Sequence, residues 1–479
     1  MTVPSRRALA GTLAALTAAT TLALAPTGAG VAAPTPAPRA AATARVPGDQ
    51  PLPGWTISNP PLAPLVVDGR RTRVLQGVHQ HAAYDIEVPA RWNGELVMWA
   101  HGYRGDGRVL TVDPPEFGLR ERVLRQGYAW AASSYARNEY DVRTGVRTTK
   151  GLADLVARTL GREPRRTYLA GVSMGGHVIG RSLEQYPAAY DGALPMCGVL
   201  GDQELFDYLL GYNLVAQDLA DRPAYPPPAD YLTADVPVIQ QRLGLAGLRP
   251  GGPDTTNALG RQLRDVTTDL TGGPRPGADQ AFAVWKDFLF TLFTPDGGGP
   301  LSANPGRVAQ NLRTTYTPST PVDVDRTVQR VRAADPVSRR THRLTQIPRI
   351  QGRPRVPVLT LHGLGDLFVP FSMEQVYRRE VGRHHRSALL VQRAVRAAGH
   401  CEFTPAEAGR AWDDLTRWVE SRRHGRGPGG QVRRPAGDDV LDAATVASPT
   451  YGCRFTDPAA YADPQRFPTR ALYARCPVG

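Results

Sequence analysis

Between residues 94 and 198, short uninterrupted apolar runs alternate with helical stretches, and this alternation restricts the fold more than any other feature of the chain. The runs are GELVMWAHG ending at Gly102, YAWAASSYA from Tyr128, TYLAGVS ending at Ser173 and DGALPMCG from Asp191. Helical patterns lie between them, around Glu116 to Arg125, from Gly145 to Leu160, and directly after Ser173. A strand that is apolar on both sides has to be buried on both faces, and parallel strands joined by crossover helices meet that requirement. Two earlier runs, RVLQGVH and AAYDIEVP, open the pattern; VPVLTLHG from Val356, SALLVQRAV from Ser387 and a helix from about Pro405 to Arg422 resume it. The expectation is an α/β fold with a mostly parallel central sheet and helices on both faces.

The rhythm is lost from about Gly201 to Arg355, where amphipathic pieces such as ELFDYLLGYNLVAQDL and QAFAVWKDFLFTLF are separated by loops rich in Pro and Gly. The chain therefore divides into a core in two parts, 45–200 and 356–424, an insertion at 201–355, and a Gly- and Pro-rich tail at 425–479. Residues 1–44 read as an export segment: Arg6 and Arg7 precede an apolar run from Ala8 to Ala25, the pattern of a secretory signal. The text SRRAL at Ser5 to Leu9 also resembles a twin-arginine signal, and cleavage sites are open near Ala32 and at Ala42 to Ala44. No later run is long enough to cross a bilayer, so the expected location is extracellular.

The formal charge of +13 raises the question of nucleic acid. The basic residues are scattered, nearly all are Arg, and none forms an arm beside aromatic stacking positions, so no nucleic-acid partner is expected. Oligomeric state is not readable. Cys197, Cys401, Cys453 and Cys476 are an even number in an exported chain, where thiols tend to oxidise; three pairings are open, and free buried thiols are the alternative. Cys453 with Cys476 is the local one, a loop that would contribute about 3 kcal/mol.

Gly171, Val172, Ser173, Met174 and Gly175 form GxSxG. The string is weak alone, but here it sits where a buried strand meets a helix, a turn that needs flanking residues without side chains and lifts the serine oxygen above the sheet. A neutral serine attacks poorly without a base and a group that orients the base. His400 lies just beyond the last strand, at the edge expected of Ser173, whereas His177 shares a helix with the serine and reads as packing. Asp366 follows VPVLTL, so Ser, Asp and His occur in the chain order this turn implies; Asp202 is the rival carboxylate. An oxyanion needs preorganised donors. The Met174 amide at its helix start is the first, and Tyr103, following GELVMWA, is assigned the second. His101 either braces that loop or packs.

GVSMGG, the HGY turn, HGLGDLFVP and AGHCEF, in this order, resemble the α/β-hydrolase superfamily, particularly its secreted bacterial esterases and lipases, over roughly residues 70 to 200 and 350 to 425. The resemblance implies hydrolysis of a small or medium carboxylic ester through Ser173, His400 and Asp366, with no cofactor and no metal. One detail, Cys401 beside His400, is similar to tannases and feruloyl esterases, which bridge that cysteine to one preceding the serine; Val172 stands there in this chain. Cys197, after the next strand, is instead the expected partner of Cys401. The insertion falls where these enzymes carry a lid. Phe282, Trp285 and Phe288 within it are candidate substrate contacts, or else members of the lid's own core. An amidase or peptidase with the same triad, and a binding protein on a hydrolase scaffold, are the competing functions.

Overall fold

Strands apolar along both faces do assemble into one sheet. The computed structural model describes residues 48–293, 307–424 and 431–477; the expected export segment at 1–44 lies outside them. Eight strands form the sheet: β1 (Arg73–His79), β2 (Ala82–Val88), β3 (Glu95–Ala100), β4 (Ala129–Ser133), β5 (Arg166–Val172), β6 (Gly192–Met196), β7 (Val358–Gly363) and β8 (Leu390–Val395). Their spatial order is β1-β2-β4-β3-β5-β6-β7-β8. β2 runs antiparallel to β1 and β4, and every other neighbouring pair is parallel. This is the α/β-hydrolase fold.

Side chains of β3 show how the pattern works. Leu96, Met98 and Ala100 enter one apolar core, and Val97 and Trp99 enter the other, as period-two alternation requires when both faces are covered. Among the described residues the longer α-helices are α1 (Leu119–Arg125), α2 (Val142–Leu160), α3 (Met174–Gln185), α4 (Glu204–Leu219), α5 (Val236–Arg242), α6 (Ala258–Leu270), α7 (Ala278–Thr291), α8 (Ser372–Arg383) and α9 (Pro405–His424). Val146, Leu152 and Val156 of α2 and Val178, Ile179 and Leu183 of α3 cover the first face. Val123 and Leu124 of α1, with Trp412, Leu415 and Trp418 of α9, cover the second. Helix α2 starts at Val142, three residues before the sequence pattern places it, because Asp141 accepts the Thr144 amide at 3.0 Å and caps the helix there.

Helices α4 to α7 fall between β6 and β7. α4 is buried nearly all round, so it is a central helix rather than a surface one, and its Asn213 amide donates to the Leu209 and Leu289 carbonyls, both at 3.1 Å. Among the described residues no helix is long and apolar enough to cross a membrane. Both expected disulfides are present, Cys197–Cys401 and Cys453–Cys476.

The register places the ends of the central strands side by side: Ala100 pairs with Gly171, Val172 with Met196, Met196 with Leu361, and Gly363 with Val395. At this edge the glycines are steric requirements. A Cβ on Gly175 would overlap the Ala100 carbonyl, and one on Gly176 would overlap the backbone of Gly198. Gly175→Ala is therefore expected to lower stability by about 3 kcal/mol or to prevent folding, whereas Gly107→Ala, with open space at its Cβ, should shift the denaturation midpoint little; equal midpoints for the two variants would contradict the packing described.

Candidate active site

Ser173 occupies the turn between β5 and α3 with φ 55° and ψ −124°, a conformation that L-residues adopt only when their surroundings compel it. Three contacts hold it there. Its amide donates to Met196 O at 3.1 Å, and its carbonyl accepts from Gly176 N at 2.8 Å and Val199 N at 3.1 Å. The side chain stands at the carboxyl edge, 8% exposed. Met174 is the first residue of α3, so its amide is one of the donors that a helix start leaves without an intrahelical partner.

The loop after β3 passes directly over the serine: a Cβ on Gly102 would lie 3.1 Å from Ser173 Cβ. His101 fixes that loop. Its Nδ1–H donates to Gly102 O at 2.6 Å, its ring stacks on Tyr135 at 3.9 Å, and the Tyr135 hydroxyl donates to His101 O at 3.1 Å. Burial pushes the His101 imidazole down to about 3, so it stays neutral. Tyr103 follows, its hydroxyl donating to Asp106 at 2.7 Å; its side chain is thus turned to its own loop, leaving only its backbone as a candidate contact for a reacting group.

Asp366 and His400 meet at the same edge. His400 Nδ1 lies 2.6 Å from Asp366 Oδ2, and Asp366 Oδ1 accepts the Phe368 and Val369 amides, each at 3.0 Å. Asp366 is fully buried, so both its oxygens are engaged and its orientation is fixed. A carboxylate facing Nδ1 keeps the proton on that nitrogen and leaves Nε2 as the basic one. Nε2 lies 3.4 Å from Cys401 Sγ, a packing contact, since that sulfur is in the disulfide and the imidazole proton is on Nδ1; among the described residues no hydrogen bond joins Nε2 to Ser173 Oγ. Asp202, the rival carboxylate, accepts from Ile350 N at 2.7 Å and from Gln203 N and makes no bond to His400; burial pushes it up to about 7.

The Cys197–Cys401 disulfide relates the two halves. Cys197 follows Met196, whose carbonyl receives the Ser173 amide, and Cys401 follows His400. Cys197, His400 and Cys401 place three potential metal-ligating atoms within 4.8 Å of one another, but metals bind thiolates, and here each sulfur is bonded to the other.

Sequence reasoning named Phe282, Trp285 and Phe288 in α7, and the structure separates them. Phe282 is 1% exposed, inside the apolar core that continues from the first face of the sheet into the insertion, so it packs in the core rather than facing a substrate. Trp285 and Phe288 pack on Phe368, at 6.3 and 5.0 Å, and Phe368 lies edge-on to the His400 ring at 5.0 Å. Phe368 was missed, although its place two residues after Asp366 was the available signal. Trp285 also donates from Nε1 to Ala398 O at 2.6 Å, which connects the insertion to the histidine loop.

No family model matches the chain. The o-phthalyl amidase of Xanthobacter agilis is 40% identical over 60 residues, which is 12% of this chain and 13% of that protein. Similar solved structures include feruloyl esterase B from Aspergillus oryzae, at 15% identity and TM-score 0.38 over 73% of this chain and 80% of that one. An acylaminoacyl peptidase from Pyrococcus horikoshii, at 10% identity and TM-score 0.35, is matched over 78% of this chain and 44% of its own length.

His177, expected to pack rather than react, is fully buried in α3; its Nε2 lies 2.7 Å from Pro348 O and so carries the proton, while Nδ1 accepts from the Tyr140 hydroxyl at 3.1 Å. Burial lowers its pKa from 6.5 to about 4. Protons therefore bind the unfolded chain first, and this contribution to stability, present above pH 6.5, is lost as pH falls towards 4. Chemical denaturation across that window should show a fall of a few kcal/mol that is shallower in His177→Gln; identical slopes would contradict the assignment.

Proposed function

We propose that the protein is a serine hydrolase that cleaves carboxylic esters through an acyl-enzyme, with Ser173 as nucleophile, His400 as base and Asp366 as the orienting carboxylate. The observation that carries this reading is the His400–Asp366 bond at 2.6 Å, made at the strand edge where Ser173 sits and bridged to that edge through Cys401.

In the proposed reaction, substrate enters over Ser173 and its carbonyl oxygen meets the Met174 and Tyr103 amides. Nε2 of His400 takes the serine proton as Oγ bonds to the carbonyl carbon, and the charge that gathers on the carbonyl oxygen is met by donors already in place. Collapse of the tetrahedral species expels the alcohol, which receives the proton from His400. Water, deprotonated by the same imidazole, then releases the acid. The hydroxyl-to-imidazole bond closes on substrate binding, as catalytic hydrogen bonds commonly tighten in the Michaelis complex.

The insertion at 201–355 acts in this reading as a lid, with Trp285, Phe288 and Phe368 forming an apolar wall beside His400 for the acyl or alcohol part of a small or medium ester. Phe282 is not part of that wall. The two disulfides fit an oxidising compartment and hence export by the amino-terminal segment. Amide hydrolysis is the second reading, favoured by the local identity with the amidase; the same triad cleaves either bond.

Ser173→Ala should abolish labelling by a fluorophosphonate, and Asp366→Asn should lower kcat by about 10³ to 10⁴ with the fold intact. Esters of graded acyl length and matched anilides rank the two readings by kcat/KM. A well-folded wild type that neither labels at Ser173 nor turns over either series would favour a binding protein on this scaffold.

A further inference from the structure

The histidine loop, residues 396–402, is held mainly by the carboxyl-terminal tail. Arg396 N donates to Thr456 Oγ1 at 2.9 Å, Ala397 O accepts from the Tyr473 hydroxyl at 3.2 Å, and Glu402 O accepts from Arg470 Nη2 at 2.6 Å. Of the tail's contacts, those nearest His400 come from Thr469. Its Oγ1 accepts both the Ala398 amide, at 2.7 Å, and the Gly399 amide, at 3.0 Å, while donating its own proton to Glu402 Oε2 at 2.7 Å. A hydroxyl has one donor and two lone pairs, so all three are used, and they bind the residues on both sides of His400.

The tail is itself anchored. Arg470, fully buried, pairs through Nη1 and Nη2 with both oxygens of Glu407, each at 2.8 Å, and Cys453–Cys476 closes the segment. Tyr473 also reaches the aspartate loop, since its hydroxyl occupies the space a Cβ on Gly365, the residue before Asp366, would need. One strap thus contacts the supports of both groups assigned to orient and accept the serine proton.

We propose that Thr469 is a positioning residue for His400, and that the 451–474 strap sets the imidazole's placement over Ser173; this rests on the hydrolase reading above. Among the described residues Thr469 makes no hydrogen bond to Ser173, Asp366 or the His400 ring; its bonds go to Ala398, Gly399 and Glu402. It acts by holding the amides of Ala398, a buried residue, and of half-buried Gly399, which would otherwise lose their acceptor and draw the loop elsewhere. Displacements of about 1 Å in such a support cost up to about a hundredfold in rate.

The test uses the full-length protein with both disulfides intact. Thr469→Val keeps the shape and removes the hydroxyl; Thr469→Ser keeps the hydroxyl. With a p-nitrophenyl ester, Thr469→Val should lose about ten- to a hundredfold in kcat, with KM within about twofold of wild type, and phosphonylation of Ser173 should slow in parallel. Thr469→Ser should remain within about threefold of wild type on both readouts. The proposal is overturned by a folded Thr469→Val with wild-type kcat, or by a serine variant as impaired as the valine one. Should the valine variant fail to fold, Tyr473→Phe, which removes only the bond to Ala397 O, should still lower kcat by at least about threefold, and unchanged kcat there overturns it. A wild type without turnover or Ser173 labelling overturns the hydrolase reading and the proposal with it; normal wild-type activity with an equally active valine variant overturns the positioning role alone.

Discussion

The bond between Cys197 and Cys401 joins residues 204 positions apart, and the candidate site depends on that junction. Sheet register brings Val172 beside Met196, so the turn bearing Ser173 and the loop bearing Cys197 start from adjacent strands. The histidine loop departs from β8, at the edge of the sheet and two strands beyond β6. Without a cross-link, a loop leaving that edge has no covalent reason to reach back over β6. With it, His400 is held one residue from a sulfur that is itself anchored one residue from the carbonyl accepting the Ser173 amide.

Backbone strain is present along the same edge. Ser173, Cys197, Asp202 and Cys401 all have positive φ, at 55, 44, 46 and 54°, and each costs on the order of 1 kcal/mol or more. What offsets it is the surrounding structure: glycines at 171, 175 and 176 that let Ala100 and Gly198 approach, and the tail and α7, which fill the hydrogen-bonding groups of the histidine loop. The insertion and the tail are both tied to that loop, so the elements most distant in sequence from Ser173 meet within a few residues of His400.

The fold was legible because strand burial writes itself into sequence locally: TYLAGVS and VPVLTLHG are apolar without alternation, and both are central strands. That Ser173, Asp366 and His400 follow the carboxyl ends of three strands was legible for a related reason, since parallel strands end at one edge of a sheet; that they act together is the proposal above. The rest depends on packing between distant segments. Helical spacing could not separate Phe282, buried in the core shared with the first face of the sheet, from Trp285 and Phe288, which pack on Phe368, because all three lie within seven residues of one helix. Thr469 and Tyr473 carry no local signal at all; a threonine after a proline in a loop-rich tail reads as surface until the tail is seen folded against residues 396–402. The start of α2 lies three residues before the apolar pattern because Val142, Arg143 and Thr144 show no strong periodicity, and the Asp141 cap decides the boundary.

The central claim is spatial, that three loops at one sheet edge act on one atom, Ser173 Oγ. A crystal structure of the protein after reaction with a small fluorophosphonate tests it most directly. The account predicts phosphorus bonded to Ser173 Oγ, the phosphoryl oxygen within about 3 Å of the Met174 and Tyr103 amides, and His400 Nε2 at hydrogen-bond distance from Oγ or the remaining phosphonate oxygen. An adduct whose phosphoryl oxygen points away from both amides, or a His400 ring still turned to Cys401 and out of reach of the adduct, would contradict it.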